Sequence, residues 1–225
     1  FPSDRIAQEL IKAGGGFVAA PSANTSGRPS PTMAEHVEED LGDAIDMIID
    51  GGQVGIGLES TIVDFTEEIP VVLRPGYISL EMLQETLGDV RMDKGLLITD
   101  SSVHPKAPGM KYRHYAPKGQ LTLVEGDRDK VIAKINELVK EKEEGHKVGV
   151  IGTDETLDSY HADILRSIGS RQKPETVAAN LYRILREIDD LECDYMYSES
   201  FFEQGLGNAI MNRMLKAAGY HLITL

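Results

Sequence analysis

The sequence predicts an α/β protein in two parts, and three observations carry that reading. From Gln120 onward, short β-branched runs alternate with amphipathic stretches at helical spacing. Before Gly88 the pattern is different: a helix, a polar loop, a second helix and a β-hairpin signal. Between Gly88 and Lys118 the periodicity fades into Ser101-Ser102, Pro105, Pro108-Gly109 and Pro117, the marks of a connecting segment. The expected division is therefore a first unit over 1–88, a linker over 89–118 and a second unit over 119–225. The second unit is expected to be a small three-layer α/β domain with a mostly parallel sheet.

Each element has its own signal. Residues 4–13 read as a helix capped by Ser3 or Asp4 and ended by Gly14-Gly15-Gly16. Phe17–Ala20 reads as a short buried strand. Residues 33–41 form a helix with Met33, Val37 and Leu41 on one face, and Thr32 with Glu35 makes a capping box. Ile45–Ile49 reads as a strand, followed by a glycine-dense turn over 50–57 that is no P-loop, because no Gly-Lys-Ser/Thr follows. Ser60–Phe65 and Val71–Arg74 are β-branched runs joined by Thr66–Pro70, a hairpin. Ser79 caps a helix over 80–87.

In the second unit, strands are expected at Gln120–Val124, Lys147–Ile151, Asp194–Tyr197 and His221–Leu225. Leu157–Ile168 reads as a short helix leading into a further strand. Helices are expected at 128–144, 175–191 and 207–218. The helix over 175–191 places Val177, Leu181, Ile184, Leu185 and Ile188 on one side.

Composition narrows the class. The chain has 225 residues, 41% hydrophobic and 27% charged, as in soluble globular proteins. No apolar run reaches the roughly 20 residues of a membrane helix. Phe1–Arg5 resembles neither a signal peptide nor an initiator start, so a cut or processed chain is expected. One cysteine, Cys193, excludes an internal disulfide and a cysteine metal cage; it sits in an apolar run and reads as inert core, which suits a reducing cytoplasm. The net charge of −14 argues against a broad grip on a nucleic-acid backbone.

The densest chemistry lies between Ala19 and Thr32. Ser22, Asn24, Thr25, Ser26, Ser30 and Thr32 supply hydroxyls and an amide; Gly27 permits close approach; Pro21, Pro29 and Pro31 exclude helix and central strand. A strand, a polar loop and a helix N-terminus in series suit an anionic ligand. The same residues also suit an ordinary connecting loop, and composition does not choose between the two.

The blocks now name a family. Ala20-Pro21-Ser22-Ala23-Asn24-x-Ser26-Gly27-x-Pro29-Ser30-Pro31-Thr32 resembles the signature loop of the YrdC-like threonylcarbamoyl-AMP synthases. Glu59–Asp64 and then Leu73-Arg74-Pro75-Gly76 resemble the family's next two blocks. Pro108–Pro117, containing Lys111-Tyr112-Arg113-His114-Tyr115, looks like the interdomain linker of the two-domain members. Gly205-Leu206-Gly207-x-Ala209-x-Met211-Asn212-Arg213 resembles a block of their C-terminal domain. The resemblance implies the C-terminal part of the twisted mixed sheet of a YrdC-like domain, followed by a Rossmann-like α/β domain. In that family the catalytic domain begins upstream of the match to Phe1, so the chain is expected to lack the N-terminal part and to be incomplete for catalysis.

The implied activity is synthesis of threonylcarbamoyl-adenylate from L-threonine, bicarbonate and ATP, releasing pyrophosphate, for threonylcarbamoyladenosine in tRNA. Magnesium is an implied cofactor, and a threonylcarbamoyl-transferase complex the downstream acceptor. Tight nucleic-acid binding is not expected, nor is a membrane. Carried over residue by residue, Ser22, Asn24, Ser30, Arg74, Tyr112 and Arg113 are expected at the nucleotide, and Ala20 and Ser60 at threonine, with Thr61 as the fallback for Ser60. Bland roles compete at each: loop-internal bonds for Ser22, Asn24 and Ser30, a strand-face hydroxyl for Ser60, an ion pair for Arg74, a docked linker for Tyr112 and Arg113. No catalytic residue and no protein metal ligand is assigned; Asp50, Glu59 and Asp64 could ligate magnesium, but a metal held by phosphates needs few protein carboxylates. The histidines His36, His104, His146, His161 and His221 read as surface positions. Alternatives are a non-catalytic fragment, a regulatory or partner-docking module, or an RNA-binding protein of the same fold.

Overall fold

The computed structural model describes residues 2–93, 96, 115–142, 145–201 and 205–225. The first unit opens on α1 (Arg5–Ala13), whose N-terminus is capped by Asp4: its Oδ1 accepts from Ala7 N–H at 2.8 Å. After a long irregular stretch come α2 (Ala34–Leu41), a 3₁₀ turn over Gly42–Ala44, β1 (Ile62–Asp64), β2 (Val71–Arg74), α3 (Leu80–Leu87) and β3 (Arg91–Met92). β1 and β2 form the expected antiparallel hairpin, and β3 adds to β2 in parallel, pairing Val71 with Arg91.

The second unit contains β4 (Gln120–Glu125), α4 (Arg128–Lys140), β5 (Val148–Gly152), a 3₁₀ turn over Leu157–Ser159, β6 (Ile164–Ser167), α5 (Pro174–Asp190), β7 (Tyr195–Glu199), α6 (Leu206–Ala217) and β8 (Leu222–Thr224). The sheet order is β6-β5-β7-β4-β8, and every pairing in it is parallel. Strand alternation sorts the side chains into two cores. Val124, Val148, Val150 and Tyr197 pack with Val131 and Ile135 of α4. Leu121, Leu123, Ile151 and Met196 pack with α5 and α6 through Leu181, Leu185, Ile210 and Met214. The result is the expected three layers: α4, sheet, then α5 with α6.

Four expectations need correction. Phe17–Ala20 is not a strand: Phe17 is 85% exposed. Nor is Ile45–Ile49, where Met47 is 77% exposed. An apolar run becomes a strand only where a neighbour takes up its backbone bonds, and among the described residues neither run has one. The capping box at Thr32 does not form. Met33 is the N-cap of α2, while Thr32 is engaged elsewhere: its N–H donates to His36 Nδ1 at 3.1 Å and its carbonyl accepts from Val54 N–H at 3.1 Å. His36 is accordingly buried rather than on the surface; burial lowers its pKa, helped by Arg186, and a neutral ring accepts the Thr32 bond.

Candidate functional site

The polar loop is irregular by design of its own sequence: three prolines remove donors, and Gly27 adopts φ +95°. Its turns are closed internally. Asn24 N–H donates to Ser22 O at 3.0 Å, and Asn24 Nδ2 donates to Thr25 O at 2.8 Å. Thr25 N–H reaches Asp40 Oδ2 at 3.2 Å, and Arg28 pairs with the other Asp40 oxygen.

The loop leans on the second unit at two points. The first is Arg186 of α5, whose side chain is 1% exposed. Its Nε and Nη2 both donate to Pro29 O, at 3.1 and 2.7 Å, and Nη2 also pairs with Asp40 Oδ2 at 2.7 Å. The second runs from Ser30 through Glu59 to Tyr182 and Arg213. Glu59 Oε1 accepts from Ser30 Oγ at 2.7 Å, and its Oε2 accepts from Tyr182 Oη at 2.8 Å and Arg213 Nε at 3.0 Å. Burial pushes the Glu59 carboxyl up, but Arg213, Ser30 and Tyr182 outweigh it and hold it below the usual range. Glu59 is therefore an ionised acceptor with its charge matched by Arg213.

Around that carboxylate cations and aromatic rings gather from both ends of the chain. Tyr115, buried and at φ +64°, stacks its ring 5.0 Å from that of Tyr182. Burial, with Glu59 nearby, pushes the Tyr115 hydroxyl up to about 12. Lys216 of α6 is buried, its Nζ donating to Asn212 Oδ1 at 3.0 Å, and desolvation beside Arg213 brings it down to about 8. Arg74 donates from Nε to the Ser60 carbonyl at 3.0 Å. This is a local concentration of positive charge in a chain of net charge −14.

A cavity of about 550 Å³ opens beside this hub, lined by Ser22, Ser30, Thr32, the segment Val54–Glu59 and Tyr182. Thr32 Oγ1 is buried there with no hydrogen-bond partner among the described residues. Of the expected site residues, Ser22 and Ser30 meet in this wall. Arg74 and Ser60 meet each other through the Ser60 carbonyl, and Thr61 Oγ1 is taken up by Ile78 O at 2.7 Å. Asn24 is turned into the loop, and its Oδ1 is buried without a partner among the described residues. Ala20 is exposed and is not among the described residues lining the cavity. Tyr112, Arg113, His104 and His114 lie outside the described residues.

The carboxylates of Asp50, Glu59 and Asp64 have separate partners. Asp50 accepts from Gly52 N–H at 2.8 Å and Asp64 from Thr66 N–H at 2.9 Å, both closing turns. Among the described residues no group of three or more His, Cys, Asp or Glu is placed to hold a metal ion. Cys193 is buried, donates to Tyr195 O at 3.1 Å, and burial pushes its thiol up to about 11, as suits a packing residue. Among the described residues no helix is long and apolar enough to cross a membrane.

Sequence reasoning missed Glu59 as a hub, together with Tyr182, Arg186 and Arg213. A signal existed in α5: Tyr182, Arg186 and Asp189 recur at i, i+4 and i+7 and form a second, polar stripe beside the apolar one. Asp189 completes it by accepting from Lys118 N–H at 2.7 Å.

Fold and site together define an α/β protein with two sheets, whose polar loop is gripped by Arg186 of α5. Residues 78–219 match the threonylcarbamoyl-AMP synthase C-terminal domain family, and residues 1–76 match the family described as telomere recombination (Sua5, YciO, YrdC). The chain is 46% identical over 223 residues to the threonylcarbamoyl-AMP synthase of Bacillus subtilis, covering 99% of this chain and 63% of that protein. It is 49% identical over 224 residues to that of Pyrococcus abyssi, covering 99% of this chain and 64% of the relative. The crystal structure of P. abyssi Sua5 complexed with L-threonine superposes over the whole of this chain and 64% of its own, with a TM-score of 0.91 at 47% identity. The chain belongs to the Sua5/YrdC-like threonylcarbamoyl-AMP synthase family. It spans slightly less than two thirds of the length of these relatives.

Proposed function

We propose that the chain serves the synthesis of L-threonylcarbamoyladenylate from L-threonine, bicarbonate and ATP, with release of pyrophosphate, toward threonylcarbamoyladenosine in tRNA. The observation that carries it is the meeting of Ser22, Ser30 and Thr32 in one cavity wall, within the loop that matches the family. In this reading the amine of threonine takes up bicarbonate as a carbamate with loss of water, the carbamate oxygen attacks the α-phosphorus, and pyrophosphate leaves. No protein nucleophile is needed; positioning and charge stabilisation do the chemistry.

Ser22 and Ser30 donate to phosphate oxygens, with Asn24 shaping the loop. Arg74, Tyr112 and Arg113 complete the nucleotide contacts, and Ala20 and Ser60 face threonine. The L-threonine bound in the P. abyssi Sua5 crystal structure supports threonine as substrate. Magnesium would arrive on the phosphates, a role that asks few carboxylates of the protein. The division into units 1–88 and 119–225 joined by 89–118 belongs to the same proposal. A sheet that begins at Gln120 supports it; the family matches meet earlier than 88, between residues 76 and 78, and β3 carries the first sheet later, to Arg91 and Met92. A cytoplasmic site of action and hand-over to a threonylcarbamoyl-transferase complex complete the reading.

The test is pyrophosphate release from ATP by this chain and by a version extended at the N-terminus, measured with and without threonine and with and without bicarbonate. Release that requires both supports the proposal; release indifferent to either one overturns it.

A further inference from the structure

The hydroxyl of Ser30 has one proton, and here it is spent on Glu59 Oε1 at 2.7 Å. An ionised carboxylate can only accept, so Ser30 must be the donor in that bond. A phosphate oxygen also only accepts. Ser30 therefore cannot bond a nucleotide phosphate until it lets go of Glu59.

A replacement donor is already in place. Arg213 Nε donates to Glu59 Oε2 at 3.0 Å, and Nη2 of the same guanidinium is buried with no hydrogen-bond partner among the described residues. Nε and Nη2 form the side-on fork that matches both oxygens of one carboxylate. The fork is half closed: Glu59 Oε1 is turned to Ser30, and Nη2 does not reach it. The Arg213 side chain is 0% exposed, so water does not compensate its idle N–H. Meanwhile Arg186 grips the Pro29 carbonyl with two bonds, so the backbone at Ser30 is fixed and only the hydroxyl has to turn.

Resting on the reading of Ser30 as a phosphate donor, we propose that Glu59 and Arg213 are positioning residues that exchange donors with it. When a nucleotide phosphate takes the Ser30 proton, Glu59 Oε1 passes to Arg213 Nη2 and the bidentate pair closes. No hydrogen bond is lost in the exchange: Ser30 to Glu59 is replaced by Ser30 to phosphate and Arg213 to Glu59. Nucleotide binding in the loop is thereby coupled to the grip between the two units, since Glu59 belongs to one and Arg213 to the other.

The experiment is a double-mutant cycle on the affinity of the whole chain for a non-hydrolysable ATP analogue, read by calorimetry. Arg213→Lys keeps the charge and removes the fork. It is expected to weaken the analogue about fivefold when Ser30 is present and to have little effect in a Ser30→Ala background. Glu59→Gln releases the Ser30 proton and is expected to tighten the analogue about threefold, again only with Ser30 present, a change opposite in sign to what lost packing would cause. Equal effects in both backgrounds, or no effect, overturn the exchange while leaving the nucleotide reading intact. If Arg213→Lys does not fold, the Glu59→Gln arm decides alone. An unsubstituted chain that does not bind the analogue, either as it stands or extended at the N-terminus, overturns the functional reading and the exchange with it.

Discussion

Arg186 Nη2 lies 2.7 Å from Asp40 Oδ2, and both side chains are withdrawn from solvent, at 1% and 0% exposure. The two residues are 146 positions apart, one on α5 and one on α2. Arg186→Ala takes both donors from the Pro29 carbonyl and leaves Asp40 to Arg28 and the Thr25 N–H alone, so it is expected to cost about 2–4 kcal/mol. The pair Arg186→Met with Asp40→Leu removes both charges but leaves the Pro29 carbonyl and Arg28 without these partners, and is expected to recover less than half of that loss. Urea denaturation of the single and double variants checks it.

Gly57 adopts φ +74° against α5, and a Cβ there would come within 2.5 Å of Ala179 Cα and against the Ala178 carbonyl. Those neighbours are helix backbone and cannot yield. Gly57→Ala is expected to lower stability by about 1–3 kcal/mol and to prise the cavity wall from α5. A fall in thermal midpoint with weaker ATP-analogue binding would bear this out; an unchanged midpoint would refute it.

Glu155 supplies an acid-range dependence. Burial raises its carboxyl, but the Arg171 N–H and the Ser170 hydroxyl outweigh that and bring it to about 2 from 4.5. A carboxylate with a depressed pKa stabilises the fold above its unfolded value and loses that contribution as pH falls through the folded one. Glu155→Gln is therefore expected to be less stable than the unsubstituted chain at pH 6, by about 1–2 kcal/mol given partial exposure, and to converge with it as the pH falls toward 2. Denaturant midpoints across that range are the measurement.

Lys216 acts with the opposite logic in the alkaline range. Its pKa falls to about 8 from 10.5, mainly through desolvation, so the folded state binds fewer protons than the unfolded one. The penalty is fully present below pH 8 and is relieved as pH rises toward 10.5. Lys216→Met is expected to raise stability by about 2 kcal/mol at pH 7, with the gain vanishing near pH 10. A gain independent of pH would point to packing instead of charge.

What could be read from the sequence was governed by distance along the chain. The β4-to-β8 alternation was legible because each strand and helix carries its own period, and Val131 or Leu181 needs no remote partner to show its face. The hairpin at β1 and β2 was legible for the same reason. Phe17–Ala20 and Ile45–Ile49 were misread because a strand is a relation between two segments, and their composition says nothing of a neighbour. Ser22 and Ser30 were found through their block. Glu59 was not, because its partners Tyr182 and Arg213 are 123 and 154 residues away, and nothing local in Leu58-Glu59-Ser60 announces them. Thr32 was assigned to a cap by spacing alone; His36 and Val54 outbid Glu35 for its backbone.

The polar stripe of Tyr182, Arg186 and Asp189 has a consequence for how such proteins can be rebuilt. These three contacts are keyed to Glu59, to Pro29 with Asp40, and to Lys118, at one helical rotation and one axial setting. A turn of α5 by a single residue would break all three at once. A foreign domain of the same architecture, grafted after the linker, would offer the loop no matching teeth. The C-terminal unit is thus not an interchangeable cassette, and chimaeras between relatives should succeed only where this three-tooth key is transplanted with its lock.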